Sequence, residues 1–348
     1  MPRTKPASRC LAVALVAAAA FVGIESGGAS GSTTVVRANS ATRPLGPSGA
    51  AISPAVTPTG RATNGSITAP GGSLRTYLLY VPRSLPKGRP VPLLVALHGG
   101  LGSGPQFEQN SGFDGLAEAN RFIVVYPNGT PIRSTAPNHL VWNGGGCCSV
   151  AEQSQENVND VGFISALITK LEGQYDIDRT RVYATGHSNG AILAERLACE
   201  ISGQVVAIGV QAGDLMIDGC QMSHPVSVLE IHGTADQNIP INGGMGSRSL
   251  TQTDFPPPVD ALKTFARRDG CSSTPTTSTD PSNRAVHFES WQSCRSGATV
   301  EWAKVTGANH AWMGHPASLA SQLLVGRPYM GFDSSAAIWS FLSAYPRS

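Results

Sequence analysis

The residues with the clearest chemical potential form the segment 186–190, which reads Gly-His-Ser-Asn-Gly. It follows a strand-like run at 181–185 and precedes the apolar, helix-forming residues 191–194. A serine between two glycines in a strand-to-helix turn is lifted out at the carboxyl edge of a sheet, beside the positive end of the next helix. This context predicts that Ser188 is a nucleophile rather than part of a chance glycine-rich turn.

The base that would activate this serine is expected further along the chain. A serine hydroxyl is a weak nucleophile at neutral pH and needs a nearby base. In hydrolases whose nucleophile lies in such a turn, the acid follows the serine in sequence and the histidine comes last. His310 fits the last position because it lies in a loop just after the strand-like residues 298–305. His315 is the alternative base by loop position.

The carboxylate that orients the histidine should lie in a loop after an earlier strand. Residues 228–231 form such an apolar run, and the loop 232–236 that follows ends in Asp236. Asp214 ends the preceding strand and is the alternative acid, and either carboxylate could instead cap its own loop. We favour Asp236 because its strand precedes a longer loop.

Backbone donors for a tetrahedral oxyanion can also be placed. One is expected from Asn189, directly after the nucleophile, and the other from the loop after an early strand, where Gly100 and Leu101 are both candidates. Trp142 and Trp312 are candidates for an aromatic wall beside the nucleophile, or for ordinary packing, and the sequence does not separate these roles.

Short apolar runs alternate along the chain with amphipathic segments, which supply the elements that would position these residues. Continuous apolar strands are typical of a parallel sheet covered on both faces. The alternation therefore predicts an α/β-hydrolase fold, with a mostly parallel, doubly wound sheet in a single domain. The predicted strands are 74–81, 91–97, 122–126, 182–185, 205–210 and 226–231, and the predicted helices are 160–175, 189–201, 257–268 and 334–344.

Length and charge limit the classes of function. The chain has 348 residues, enough for one large α/β domain, and a formal net charge of +2. No basic face is visible to match phosphates, which argues against a nucleic-acid partner. The glycines at 99–104 are not followed by the Gly-Lys-Ser/Thr of a phosphate-binding loop. Neither a metal nor an organic cofactor is expected.

The first residues have the pattern of a secretory signal. Basic residues at positions 3, 5 and 9 precede the apolar run 11–24, and small residues follow at 27–30. The run is shorter than the ~20 residues needed to cross a bilayer, so we expect an extracellular protein without stable membrane insertion. We predict a signal peptide at 1–30, a flexible leader rich in Ser, Thr, Gly and Pro at 31–65, and a catalytic domain at 66–348.

Cysteine usage agrees with export. The chain has seven cysteines, and Cys10 would leave with the signal peptide. An even number in an exported chain indicates disulfides rather than metal ligands or reactive thiols. Proximity in sequence favours the pairs Cys199–Cys220 and Cys271–Cys294, which leaves the adjacent Cys147 and Cys148 for a vicinal bridge or for re-pairing with the others.

Taken together, the motifs resemble those of the esterase family that includes extracellular polyhydroxybutyrate depolymerases and feruloyl and acetylxylan esterases. The resemblance covers most of the folded region and is specific for the family rather than for one substrate. It implies the triad roles for Ser188, Asp236 and His310. The segments that carry it are Tyr80-Val81-Pro82, His98-Gly99-Gly100, 159–163, 186–190, 232–236, Gly270-Cys271 and His310-Ala311-Trp312.

Two features of the resemblance bear on the substrate. The loop 142–148 is more similar to that of the feruloyl-type members, and Met313 stands where the family often has proline. We therefore expect soluble or plant-wall-type esters rather than crystalline polyester. Asp160 lies in a recurring family motif, where we expect it to start a helix.

These observations predict a secreted serine hydrolase that cleaves small or polymeric carboxylic esters through an acyl-enzyme. A secreted acyltransferase similar to mycolyltransferases would share the fold and the triad, and would pass the acyl group to a sugar hydroxyl instead of water. A third hypothesis is a binding protein on a hydrolase scaffold, which the intact serine, aspartate and histidine argue against.

Overall fold

The computed structural model describes residues 56–147 and 157–347. Within these ranges the chain forms a ten-stranded sheet and a separate two-stranded ribbon. The strands are β1 (Arg61–Thr68), β2 (Leu74–Val81), β3 (Val91–Leu97), β4 (Ile123–Pro127), β5 (Thr130–Pro131), β6 (Leu140–Val141), β7 (Ile177–His187), β8 (Ala207–Gln211), β9 (Ser227–Gly233), β10 (Thr276–Thr279), β11 (Val286–Trp291) and β12 (Val300–Val305).

Helices occupy the connections between strands and follow the last strand. They are α1 (Gly104–Ser111), α2 (Phe113–Asn120), α3 (Asp160–Gln174), α4 (Asn189–Glu200), α5 (Pro258–Asp269), α6 (Leu319–Val325) and α7 (Ser334–Leu342). In the described part of the chain, none of these helices has the length and apolar character needed to cross a membrane.

The large sheet has the strand order β1-β2-β4-β3-β7-β8-β9-β12-β11-β10. From β4 to β12 in this order, neighbouring strands run parallel, whereas the outer strands pair antiparallel. Parallel strands joined by crossovers bring their carboxyl ends to one edge of the sheet. The loops after β3, β7, β8, β9 and β12 therefore meet at that edge.

Different helices cover the two faces of the sheet. Leu93, Val95 and Leu97 of β3 pack in a hydrophobic cluster with α3, α4 and α5, whereas Leu94 and Ala96 pack with α1, α2 and α7. Every residue of β3 is buried, which explains why its sequence is continuously apolar rather than alternating. The prediction of a doubly wound α/β-hydrolase fold is confirmed.

The start of the ordered chain differs from the prediction. We expected a flexible leader through residue 65, but β1 begins at Arg61 and pairs with β2, with Arg61 opposite Val81 and Thr68 opposite Leu74. An edge strand is held by backbone hydrogen bonds and needs no apolar run, so its polar sequence gave no sign of it. The predicted signal peptide at 1–30 and the leader up to residue 55 lie outside the described residues.

Several short elements were also not predicted from the sequence. They are α1, α2, α6, β10 and β11. No residue of β10 or α6 is buried, and the others are at most eight residues long. A helix or strand can be recognised from hydrophobic periodicity when it is long enough and buries one face. Each of these elements is short, and β10 and α6 also lack a buried face.

Within the described residues, two disulfides tie helix ends to connections between strands. The predicted pairs Cys199–Cys220 and Cys271–Cys294 are confirmed. The first ties the end of α4 to the segment before β9, and the second ties the second residue after α5 to the connection between β11 and β12. Cys148 lies outside the described residues, so the Cys147–Cys148 bridge stays a prediction.

Candidate active site

Ser188 occupies the sharp turn between β7 and α4. Its backbone has φ 55° and ψ −123°, a conformation that non-glycine residues keep only where the surrounding structure enforces it. Glycine is required on both sides. A Cβ atom on Gly186 would lie 2.4 Å from the Gly190 carbonyl oxygen, and one on Gly190 would lie 2.4 Å from the Leu97 carbonyl oxygen. The two glycines therefore allow α4 to approach β7 and β3 closely enough to form the turn.

The structure brings Ser188, His310 and Asp236 together at the carboxyl edge of the sheet. His310 Nε2 lies 2.8 Å from Ser188 Oγ, and His310 Nδ1 lies 2.7 Å from Asp236 Oδ2. Both His310 and Asp236 are buried, so the hydrogen bond between them is shielded from water. An imidazole in this position can take the hydroxyl proton while the carboxylate fixes its tautomer.

The Asp236 carboxylate is stabilised in its ionised form. Its Oδ1 accepts hydrogen bonds from the backbone N–H groups of Asn238 at 2.8 Å and Ile239 at 2.9 Å. Burial alone would raise the pKa of Asp236, but the facing His310 and the other hydrogen-bond donors outweigh burial and lower this pKa to about 2. Asp236 is therefore an acceptor for His310 at neutral pH.

The two alternatives that the sequence left open have other surroundings. His315 Nε2 lies 3.1 Å from Asp333 Oδ1, so it is paired with a different carboxylate. Asp214 is fully buried. Burial, and then the nearby Glu230, raise the pKa of Asp214 to about 8, so its carboxyl is protonated at neutral pH. A protonated acid in this position is poorly suited to stabilise an imidazolium.

The structure separates the two candidates for the second oxyanion donor. The Leu101 N–H donates to the Leu140 carbonyl at 2.8 Å, so this donor is already used and the prediction for Leu101 is wrong. Among the described residues, no hydrogen bond uses the Gly100 N–H. Asn189 begins α4, where backbone N–H groups project from the helix end. Its side chain accepts from Trp142 N at 2.7 Å and donates to Trp142 O at 3.0 Å.

Both tryptophans are buried packing residues. Trp142 Nε1 donates to the carbonyl of His98, two residues before Gly100, at 2.9 Å. Trp312 Nε1 donates to Ser335 Oγ at 3.0 Å, and its ring meets Phe107 edge to face with a centroid distance of 5.1 Å. The wall prediction is therefore corrected for Trp142, whereas Trp312 also lines a cleft at the nucleophile.

Two clefts lined by described residues reach Ser188. The larger has a volume of about 420 Å³ and a mainly apolar lining that includes Ile192, Ile239 and Phe255. The smaller has a volume of about 110 Å³ and includes Trp312. The last residues of α6 border both clefts. The larger volume lies in the range of small-molecule binding sites.

Gln211, the last residue of β8, was not identified from the sequence. Its backbone carbonyl accepts from the Ser188 N–H at 3.0 Å. Its side-chain Nε2 donates to the Ala311 carbonyl at 2.9 Å, and its Oε1 accepts from the Met313 N–H at 3.1 Å. A proline at position 313 would lack that N–H. A buried amide at the end of an apolar strand is the signal that could have pointed to this residue.

Two other histidines support the site as neutral side chains. His98 Nε2 accepts from the Gly129 N–H at 3.0 Å, and burial lowers the pKa of His98 to about 4. His187 Nε2 donates to the His310 carbonyl at 2.7 Å, and burial, followed by the charge of His310, lowers the pKa of His187 to about 3. Within the described ranges, no three His, Cys, Asp or Glu side chains are grouped to hold a metal ion.

Asp160 forms a buried ion pair and does not cap α3. The helix is capped by Asn159, whose side chain accepts from the Gly162 N–H at 2.7 Å. Asp160 Oδ1 lies 2.7 Å from Arg75 Nη2, and Asp160 Oδ2 accepts from the Asn143 N–H at 2.7 Å. The helix does begin at Asp160, as expected, but the side chain that caps it is that of Asn159. This carboxylate ties β2 to the loop beside Trp142.

Comparison with known proteins places these features in a family. Residues 75–251 match the family model described as esterase PHB depolymerase. Feruloyl esterase B of Piromyces equi is 27% identical over 246 residues, which are 68% of this chain and 42% of that protein. A bifunctional acetylxylan esterase/xylanase of Neocallimastix patriciarum is 25% identical over 244 residues, or 69% of this chain and 31% of that protein. The chain thus spans less than half the length of these two relatives.

A probable feruloyl esterase C of Aspergillus clavatus matches a larger share of its own length. It is 30% identical over 215 residues, which are 57% of this chain and 71% of that protein. Among solved structures, an acetyl xylan esterase from Aspergillus awamori has a TM-score of 0.50 and 18% identity, covering 71% of this chain and 94% of that chain. At this identity the structural similarity concerns the fold.

Proposed function

Because the chain belongs to the esterase PHB depolymerase family, we propose that it hydrolyses carboxylic esters through an acyl-enzyme on Ser188. The observation that carries the proposal is the position of the His310 imidazole, within hydrogen-bond distance of both the Ser188 hydroxyl and the Asp236 carboxylate. The feruloyl and acetylxylan esterases among its relatives support the same reaction class.

In this mechanism His310 Nε2 takes the Ser188 proton while Oγ attacks the ester carbonyl carbon. The N–H groups of Asn189 and Gly100 bind the oxyanion that develops. Collapse of the intermediate expels the alcohol, which receives the proton from His310, and leaves an acyl-serine. Water then attacks with His310 as the base and releases the carboxylic acid. Asp236 stabilises the His310 imidazolium during both formation and hydrolysis of the acyl-enzyme.

The shape of the site supports an ester with a sizeable apolar group. The larger cleft, with Ile192, Ile239 and Phe255 in its lining, would hold an aromatic or branched group on one side of the ester bond. The smaller cleft would hold the other side. With the feruloyl and acetylxylan esterases among the relatives, we propose soluble or plant-wall-type esters as substrates.

Export of the protein is part of the same proposal. Its support is the signal-like pattern at 1–30 and the two disulfides Cys199–Cys220 and Cys271–Cys294, because disulfides form and persist in oxidising compartments. N-terminal sequencing of protein recovered from a culture medium should find a start shortly after residues 27–30. Protein retained inside the cell with an intact N-terminus would contradict export.

Replacement of the nucleophile tests the reaction. The Ser188→Ala variant should lose about 10⁶-fold in kcat for p-nitrophenyl acetate, and a fluorophosphonate should label the wild type but not this variant. Ser343→Ala removes an exposed hydroxyl just after α7 and should behave as the wild type. Undiminished hydrolysis by Ser188→Ala would rule out the assignment, and a wild type that resists fluorophosphonate would favour a binding protein.

Product analysis separates hydrolysis from acyl transfer, because both pass through the same acyl-enzyme. Methyl ferulate, acetylated xylan, p-nitrophenyl esters of graded length and polyhydroxybutyrate film would be offered with and without glycerol or trehalose. Free acid should be the main product in each case with an accepted ester. A sugar or glycerol ester as the main product would identify an acyltransferase instead.

A further inference from the structure

A second histidine lies against Asp236 and has no part in the mechanism above. His232, on β9, is completely buried. Its Nδ1 lies 2.9 Å from Glu230 Oε1, and its Nε2 lies 2.8 Å from the Ile239 carbonyl oxygen. The same Nε2 is 3.6 Å from Asp236 Oδ2, the oxygen that also faces His310.

The neighbours of this ring determine how many protons it carries. The Ile239 carbonyl can only accept a hydrogen bond, so Nε2 of His232 must be protonated. Glu230 Oε1 also accepts from the Gly213 N–H at 3.1 Å. An oxygen that accepts this N–H and also faces Nδ1 fits a carboxylate that accepts twice, with a second ring proton on Nδ1. The ring is then an imidazolium.

We propose that Glu230 and His232 form a buried ion pair that positions the loop bearing Asp236 and weakens the attraction between Asp236 and a protonated His310. The inference rests on the proposed function, since it concerns the carboxylate that orients the proposed base. Glu230 and His232 act here through Asp236 and are positioning residues. They do not touch the reacting atoms.

The positioning role follows from the hydrogen bonds of the loop after β9. His232 Nε2 holds the carbonyl of Ile239, and the N–H of the same Ile239 donates to Asp236 Oδ1 at 2.9 Å. The imidazolium therefore holds Ile239 in place, and the N–H of Ile239 orients the Asp236 carboxylate. Loss of the Glu230 charge would loosen the first of these contacts, because a neutral ring is a weaker donor.

The other carboxyl groups that act on this cluster belong to Glu195, Asp214 and Asp260. Burial, with Glu230 next, raises the pKa values of Glu195 on α4 and Asp214 after β8. Asp260 on α5 acts on this group through Asp214. The charges that His232 meets at close range are therefore those of Glu230 and Asp236.

The imidazolium competes with His310 for the charge of Asp236. Burial lowers the pKa of His232, but the Glu230 carboxylate outweighs burial and raises this pKa to about 8. A positive charge 3.6 Å from Asp236 Oδ2 weakens the attraction between Asp236 and a protonated His310.

The Glu230→Gln variant tests this coupling because it removes the charge and keeps the size of the side chain. Without the carboxylate, the buried His232 becomes neutral. Since His232 lies between Glu230 and Asp236, loss of its positive charge outweighs loss of the more distant negative one. The acid limb of kcat/KM, which reports the free base, should move to higher pH by about half a unit or more.

The matched control is Glu195→Gln, which makes the same replacement at an equally buried carboxyl on α4, outside the proposed pair. Its acid limb should coincide with that of the wild type. An unshifted limb in Glu230→Gln, or equal shifts in both variants, would overturn the coupling. If the Glu230→Gln protein fails to fold, a second measurement tests the ion pair in proteins that keep Glu230 and His232.

Nitrogen-15 NMR of the imidazole rings gives that measurement in the wild type and in Ser188→Ala. Both nitrogens of His232 should carry protons at neutral pH in each protein, whether or not ester is turned over. A single neutral tautomer of His232 would overturn the ion pair while leaving the proposed esterase intact. Conversely, a doubly protonated His232 in a Ser188→Ala protein that still hydrolyses ester would reject the proposed function and retain the ion pair.

Discussion

The backbone N–H of Ser188 donates to the carbonyl of Gln211 at 3.0 Å, and the side chain of Gln211 holds the backbone that follows His310. The nucleophile and its proposed base are 122 positions apart in the chain. One residue at the end of β8 thus fixes the distance between a turn after β7 and a loop after β12. This arrangement makes Gln211 a sensitive position for activity.

Replacement of Gln211 by leucine should lower kcat for p-nitrophenyl acetate about 10- to 100-fold, because the His310 loop loses its two side-chain anchors. The free energy of unfolding should fall by about 2 kcal/mol or more, since the Ala311 carbonyl and the Met313 N–H lose their buried partner. Steady-state kinetics and urea unfolding measure the two effects.

The control for this prediction is Ser334→Ala, which removes one donor to the Gln211 Oε1 and leaves the anchors of the loop in place. Its kcat should stay within about threefold of the wild type. A Gln211→Leu variant with unchanged kcat but lowered stability would show that Gln211 supports the fold without setting the spacing of the site.

Two helical glycines should respond in opposite ways to alanine. In Gly190→Ala the new Cβ would lie 2.4 Å from the carbonyl oxygens of Leu97 and His98, so the turn must open. We expect a loss of stability of more than about 2 kcal/mol and loss of most activity. In Gly173→Ala the Cβ meets nothing within 4 Å, and higher helix propensity should add about 0.5–1 kcal/mol. Similar unfolding curves for the two variants would contradict the steric argument.

Acid should remove the stability that Asp236 provides. Its pKa in the folded protein is lowered to about 2 from the usual 3.8. A lowered folded pKa adds stability above the unfolded value, and this contribution disappears as pH falls through the folded value. The difference in unfolding free energy between wild type and Asp236→Asn should therefore shrink by about 2 kcal/mol between roughly pH 5 and pH 2. A difference independent of pH would contradict this assignment.

Two ion pairs should differ sharply in their importance. Asp160→Asn breaks the buried pair with Arg75 and should destabilise the fold by about 3–5 kcal/mol, because an uncompensated guanidinium stays buried. Lys263→Met breaks the exposed pair with Asp260 and should cost less than about 0.5 kcal/mol. Urea unfolding of both variants measures the contrast, and equal losses would show that burial does not set the value of these pairs.

The sequence by itself was sufficient for features that contiguous residues determine. The strands 74–81 and 91–97 were predicted with the bounds that the structure has, because burial on one or both faces leaves a direct pattern of apolar residues. The turn around Ser188 was also predicted, since only glycine fits where Gly186 and Gly190 approach neighbouring backbone. These constraints are local, and a short segment contains them completely.

Tertiary structure decided every choice between neighbouring candidates. Three of these choices depend on loops from different strands meeting at one edge of the sheet. They are which carboxylate faces His310, whether the Gly100 or the Leu101 N–H is already used, and where Trp142 packs. A hydrogen bond is made or lost within a few tenths of an ångström, and residue spacing along a chain does not define such distances between separate loops. The partners of Gln211 and His232 became visible for the same reason, because the folding of the sheet brings them together.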